Sequence, residues 1–222
     1  MVAAALVALG TLAFAPPSMA EDSPAGQLVS STPAGGTPHV LNGEVLSITQ
    51  VGSTVLLGGA FSSAQNDNSA TTLPRANLLA FNAQTGQIST TFVPNPNGVV
   101  REVLDAGDGQ TVYVAGNFTS IGGEARKNLA RVRVSDGFVL PTFDAGNITG
   151  QVRDVALSDG RLWIGGAFTH IKGFPQGKLA TLDPDSGART DYMALPVEGV
   201  HNSGSTQVIK FDITPDGNRL VA

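Results

Sequence analysis

The chain has 222 residues, a net charge of −5, only 14% charged residues and no cysteine. The acidic balance argues against a general nucleic-acid binder, which needs a basic stripe to displace counterions from phosphate. The lack of cysteine excludes disulfide frameworks, cysteine-ligated zinc, iron–sulfur clusters and thiol nucleophiles.

In chain order, the first element is an address. Residues 1–15 are uncharged and apolar apart from Gly10 and Thr11. Ser18 and Ala20 then suit the −3 and −1 positions of a signal-peptidase site, so residues 1–20 read as a secretory signal cut after Ala20. The apolar run is short for a membrane span, which takes about 20 residues, and no stable span is expected after cleavage. An N-terminal core helix or short anchor is the competing reading, and no Lys or Arg precedes the run. The localisation implied is secreted, extracellular or at the cell surface. Residues 21–38, rich in Pro, Gly, Ser and Thr, read as a flexible leader.

From residue 39 onward the sequence repeats itself. TVLLGGAFSSA from Thr54, TVYVAGNFTSI from Thr111 and RLWIGGAFTHI from Arg161 are copies of one pattern, and RLVA from Arg219 begins another. EVLSI (44–48), VREVL (100–104), VRDVA (152–156) and VIKFD (208–212) precede them. NLLAF (77–81), NLARV (128–132) and KLATL (178–182) follow, then a Gly-containing turn and a last extended piece such as ISTTFVP (88–94) or FVLPTFD (138–144). The predicted units are approximately 44–98, 99–150 and 151–205, with a partial unit at 206–222.

Each unit reads as four short β segments separated by Gly, Asp, Asn or Pro, with no sustained helical period after residue 20. The second segment is almost wholly apolar, as in VYVAG and LWIGG, which marks a strand covered on both faces. An all-β architecture of four-stranded, β-propeller-like blades fits a period of fifty to fifty-eight residues. Small sandwiches need about 100 residues each and solenoid coils about 20–30, so both fit worse. Three units and part of a fourth do not close a ring, so the expectation is an N-terminal fragment of a longer, closed propeller. HVLNGEV (39–45) resembles PNPNGVV (94–100), which suggests that residues 36–43 form a detached last strand. Gly58-Gly59, Ala115-Gly116 and Gly165-Gly166 are expected to permit a bulge or close backbone approach, and Phe61, Phe118 and Phe168 to pack between blades.

At the signature [VL]-x-[VIL]-[GA]-G-x-F-[ST], followed by N-L-A-x-[VFL] and a D-G or T-G turn, the chain resembles the delta-60 repeat family of secreted bacterial propeller-like repeats. The matching residues are Gly59 and Phe61, Gly116 and Phe118, Gly166 and Phe168, with Asn77 and Asn128 opening the third segment. Lys178 departs from that Asn. The resemblance covers roughly residues 40–222 and implies a fold and export, but no activity.

The search for chemistry is mostly empty. Asp183 and Asp185 look like the start of a calcium loop, but position twelve is Ala194, and the equivalents in other units mark this as a turn. Asp105, Asp108 and Asp216 mark equivalent turns between first and second segments. No G-x-S-x-G occurs, and His39, His170 and His201 lie in no catalytic motif; His170 reads as an exposed strand end. Glu102 and Asp154, beside Arg101 and Arg153, read as a repeated charged layer rather than an acid/base pair. No catalytic, cofactor-binding or metal-ligating residue is assigned. Two polar insertions, rim loops 62–77 and 197–207, are the places where a glycan, cell-wall polymer or protein would bind. The first of these, with Asn66, Asp67 and Asn68, reads by default as a solvated loop. The sequence therefore favours an exported binding or scaffold module of a larger protein. The alternatives are a propeller-based polysaccharide hydrolase or lyase, and a structural spacer.

Overall fold

The computed structural model describes residues 35–193, 197, 199–201 and 204–222. The signal segment 1–20, most of the leader 21–38, and residues 198, 202 and 203 of the second rim loop lie outside them. Every regular element among the described residues is a β-strand.

Each unit carries one antiparallel three-stranded sheet with the second strand in the middle. In the first unit Glu44–Val51, Thr54–Ala60 and Leu78–Asn82 pair in that order. Val99–Asp105, Thr111–Asn117 and Leu129–Arg133 do so in the second, and Val152–Ser158, Arg161–Gly166 and Leu179–Leu182 in the third. Asp212–Ile213 pairs with Leu220–Val221 as the start of a fourth. A second, smaller sheet builds the stretch between the middle and third strands. Ser63–Gln65 pairs with Thr72–Pro74, Ser120–Ile121 with Glu124–Ala125, and His170–Ile171 with Phe174–Pro175. The 62–77 insertion is therefore mostly a folded hairpin rather than a solvated loop.

The fourth segment expected in each unit does not form a ladder. It makes one bridge, Phe81 with Ile88, Val132 with Val139 and Leu182 with Arg189, and then leaves the sheet. Pro94, Pro96 and Pro141 lack the N–H a ladder needs. Phe92 and Phe143 drop into the core instead, both fully buried. Residues 39–40 join the small sheet of the first unit against Ser63–Gln65, not the large sheet as a detached last strand.

Alternation along the middle strands builds the core between successive units. Val112 and Val114 face Leu56, Leu78 and Ala80 of the first unit. Tyr113 and Ala115 point the other way and meet Val152, Leu162 and Ile164 of the third. Trp163 turns toward Val208 and Phe211 of the fourth. Phe118 and Phe168 each sit in the cluster shared with the preceding unit. The apolar runs that predicted strands covered on both faces are thus central strands stacked between neighbouring sheets.

Candidate functional site

The glycine pairs set the geometry of the site. A Cβ on Gly59, Gly116 or Gly166 would overlap the backbone carbonyl oxygen of Glu44, Val99 or Gln151, at the start of or just before the adjoining first strand. This close approach sits beside a one-residue bulge in each first strand. The register skips from Val45 to Ser47, from Val100 to Glu102 and from Val152 to Asp154. The extra residues are Leu46, Arg101 and Arg153. A bulge re-aims its side chain out of the strand's regular alternation. Here the three re-aimed side chains, with Ile209 and Lys210 of the fourth unit, line one cavity of about 140 Å³. Equivalent positions of four consecutive units thus converge on one spot, as the inner strands of propeller blades do.

The next residue along each first strand forms a polar layer beneath this cavity. Ser47 donates from its hydroxyl to Glu102 at 2.8 Å and accepts the Val103 N–H at 3.0 Å. Asp154, 5% exposed, accepts the Phe211 N–H at 2.7 Å. Lys210 pairs with Asp154 at 3.0 Å and with Glu102. Burial alone would lower the Lys210 amine, but these two carboxylates outweigh it and hold its pKa above the usual lysine value. Glu102 and Asp154 therefore belong to one charged layer, with a lysine between them that sequence reasoning did not single out. Its only signal was Lys210 standing where Glu102 and Asp154 stand in their own units.

Arg101 and Arg153 are treated differently. Among the described residues neither guanidinium pairs with a carboxylate, and the Nε of each is buried without a hydrogen-bond partner. Arg75 and Arg126 share the unpartnered Nε, but several guanidinium groups outside this cavity are engaged. Arg131 reaches Asp108 and Asp185 at 3.0 Å each, and the Pro184 carbonyl at 3.0 Å, tying the second unit to the third. Arg75 donates to the carbonyls of Pro74 and Ser89.

The other residues drawn from the sequence serve the fold. Asp183 accepts N–H bonds from Asp185 and Ser186, and Asp105 from Gly107, as turn residues do. Asn66 accepts the Ile88 N–H, while Asp67 accepts the Gly36 N–H and meets His39 at 3.3 Å. These contacts anchor the 62–77 hairpin, whose exposed tip includes Asn68, Ala70 and Thr71. His170 is half-buried at the start of its hairpin strand rather than exposed, with Nδ1 3.0 Å from the Thr169 hydroxyl. Val200–His201 pairs with Gly204–Ser205 inside the second rim loop. In the open crevice between the second and third units, Arg131 is already paired with Asp108 and Asp185.

Stacked three-stranded sheets with a shared inner cavity define a β-propeller-type repeat protein. Consistent with this, the chain is similar over residues 107–143 and 157–186 to a family described as a domain of unknown function (DUF5122) beta-propeller. The two matched stretches cover the middle and third strands of the second and third units. No curated protein matches the chain.

Proposed function

We propose that the chain is an exported binding module of the delta-60 repeat type, part of a larger extracellular or cell-surface protein. The observation that carries the reading is the convergence of Leu46, Arg101, Arg153, Ile209 and Lys210 on one concave site. Leu46, Arg101 and Arg153 stand on strands held in the stacked sheets, so much of the site is organised before a ligand arrives, which lowers the entropic cost of binding. Export rests on the apolar run and small-residue cleavage site of residues 1–20. The partner is a glycan, a wall polymer or a protein that touches the rim, including the 62–77 hairpin.

The test is co-sedimentation of the purified chain with insoluble cell-wall polymer and with polysaccharide, followed by assay of the supernatant for released sugar. Retention on one of these materials without release of reducing or unsaturated ends is the expected result. Release of such ends would replace the module with an enzyme, and retention on none would leave a spacer. Export is checked by fusing residues 1–20 to a reporter active only outside the cytoplasm; a silent fusion would remove that part of the proposal.

A further inference from the structure

We infer that the cavity between Arg101 and Arg153 is an oxyanion site, which grips a carboxylate or phosphate group of the ligand. The inference rests on the binding-module reading and names the chemical group that module recognises.

Three observations point to it. First, Arg101 and Arg153, at equivalent bulge positions, both line one small cavity, and no carboxylate among the described residues answers either charge. The carboxylates next to them in sequence, Glu102 and Asp154, are taken by Lys210. Second, neither guanidinium makes a hydrogen bond among the described residues; the buried Nε is unpartnered in both, a state shared with Arg75 and Arg126 outside this cavity. A charged donor group without an acceptor is costly to desolvate, so the terminal nitrogens of both guanidinium groups are free to take an acceptor from a ligand. Guanidinium is the side chain best matched to such an acceptor, because its planar fork meets the two oxygens of a carboxylate or phosphate. Third, the remaining walls are Leu46, Ile209 and Lys210, the last a further positive charge shared with Glu102 and Asp154. Apolar walls lower the local dielectric and strengthen the charge-assisted bonds inside.

The size of the cavity limits the ligand further. About 140 Å³ holds one small charged group with a few waters, since a water occupies about 30 Å³. A neutral sugar hydroxyl can accept from these donors, but it brings no charge to offset the two guanidinium groups. The group is therefore an acidic substituent carried on a larger ligand, such as a uronic acid, a peptide carboxylate or a polymer phosphate.

The experiment is a titration of the full ¹⁵N-labelled chain with sodium phosphate, sodium acetate and sodium chloride at constant ionic strength, read at the arginine Nε–Hε resonances. Phosphate or acetate is expected to shift the Arg101 and Arg153 signals saturably, with chloride inactive. The phosphate and acetate arms tell the two sources of oxyanion apart. R101Q and R153Q should each weaken that binding about tenfold or more. R101K, which keeps the charge but loses the fork, should weaken it less than R101Q while leaving the fold intact. If all three salts behave alike, or if R101Q and R153Q bind as the parent does, the oxyanion site is wrong. Retention of polymer by the same variants at parental level would then leave the module standing without this anchor. Saturable shifts in a parent chain that retains no polymer would keep the oxyanion site and remove the module reading.

Discussion

At Asn128 one amide side chain joins three parts of the chain. Its backbone has a φ of 70°, in the left-handed region that Asn tolerates better than most residues. Its Oδ1 accepts the Phe118 N–H at 3.1 Å, and its Nδ2 donates to the carbonyls of Ile148 and Gly150 at 3.0 and 2.7 Å. It therefore fixes the G-x-F segment of its own unit to the entry of the next. Asn77 repeats the arrangement with Phe61 and Pro96 at a φ of 60°. Lys178 holds the same backbone, φ 68°, but offers only a 3.4 Å bond from Nζ to the Ala167 carbonyl. Asn128→Ala is expected to cost about 3 kcal/mol, from lost bonds to buried groups and from left-handed strain. Lys178→Asn is expected to stabilise by up to about 1 kcal/mol. Urea denaturation of both variants checks this, and an Asn128→Ala change within about 0.5 kcal/mol of the parent would show that the amide does not bridge the units. The repeated Asn was visible in the sequence, but the bridge was not, because it depends on where the next unit's carbonyls lie.

Among the elements, the bulged first strand and the glycine opposite it are one device. The glycine admits the carbonyl of Val99, and the bulge beside it re-aims Arg101. Gly116→Ala would set a Cβ on that carbonyl and is expected to cost about 3 kcal/mol, since overpacked cores yield only by shifting backbone. The neighbouring Ala115 already carries a Cβ in the core. A Gly116→Ala chain with the parental urea midpoint would contradict the close approach. The turn before the middle strand is held differently. Burial pulls the Asp108 carboxyl upward in pKa, but bonds from Thr111, Gln110 and Arg131 outweigh it and bring it down to about 2. An unfolded aspartate titrates near about 3.9. Asp108 therefore stabilises the fold above that value, and the contribution fades as pH falls from about 4 toward about 2. Asp108→Asn should flatten the loss of stability over that window, measured as urea midpoints against pH; an unchanged slope would show that the carboxylate carries no such linkage. Strand positions and the glycine bulge were legible in the sequence, since apolar runs and glycine pairs recur in register. The hairpin inside 62–77 was hidden by its polar composition, and the missing fourth ladder by apolar residues that serve the core instead.

For the whole molecule, the account depends on three bulged first strands and the segment 208–211 of the fourth unit facing one centre. The repeat made stacked sheets predictable, because each apolar middle strand needs cover on both faces. It could not show that positions 46, 101, 153 and 209 meet, since that depends on the angle between successive sheets. Nor could it separate Arg101 and Arg153 from the charged layer beside them, because pairing is settled only by which carboxylates Lys210 reaches. The most direct measurement uses the absence of cysteine in the parent chain. Spin labels are placed at Leu46→Cys and Ile209→Cys, singly and together, and the dipolar broadening is recorded. The account predicts strong broadening in the double variant, abolished by dilution with a diamagnetic label and by unfolding in urea. A double-variant spectrum equal to the sum of the two singles would contradict the convergence.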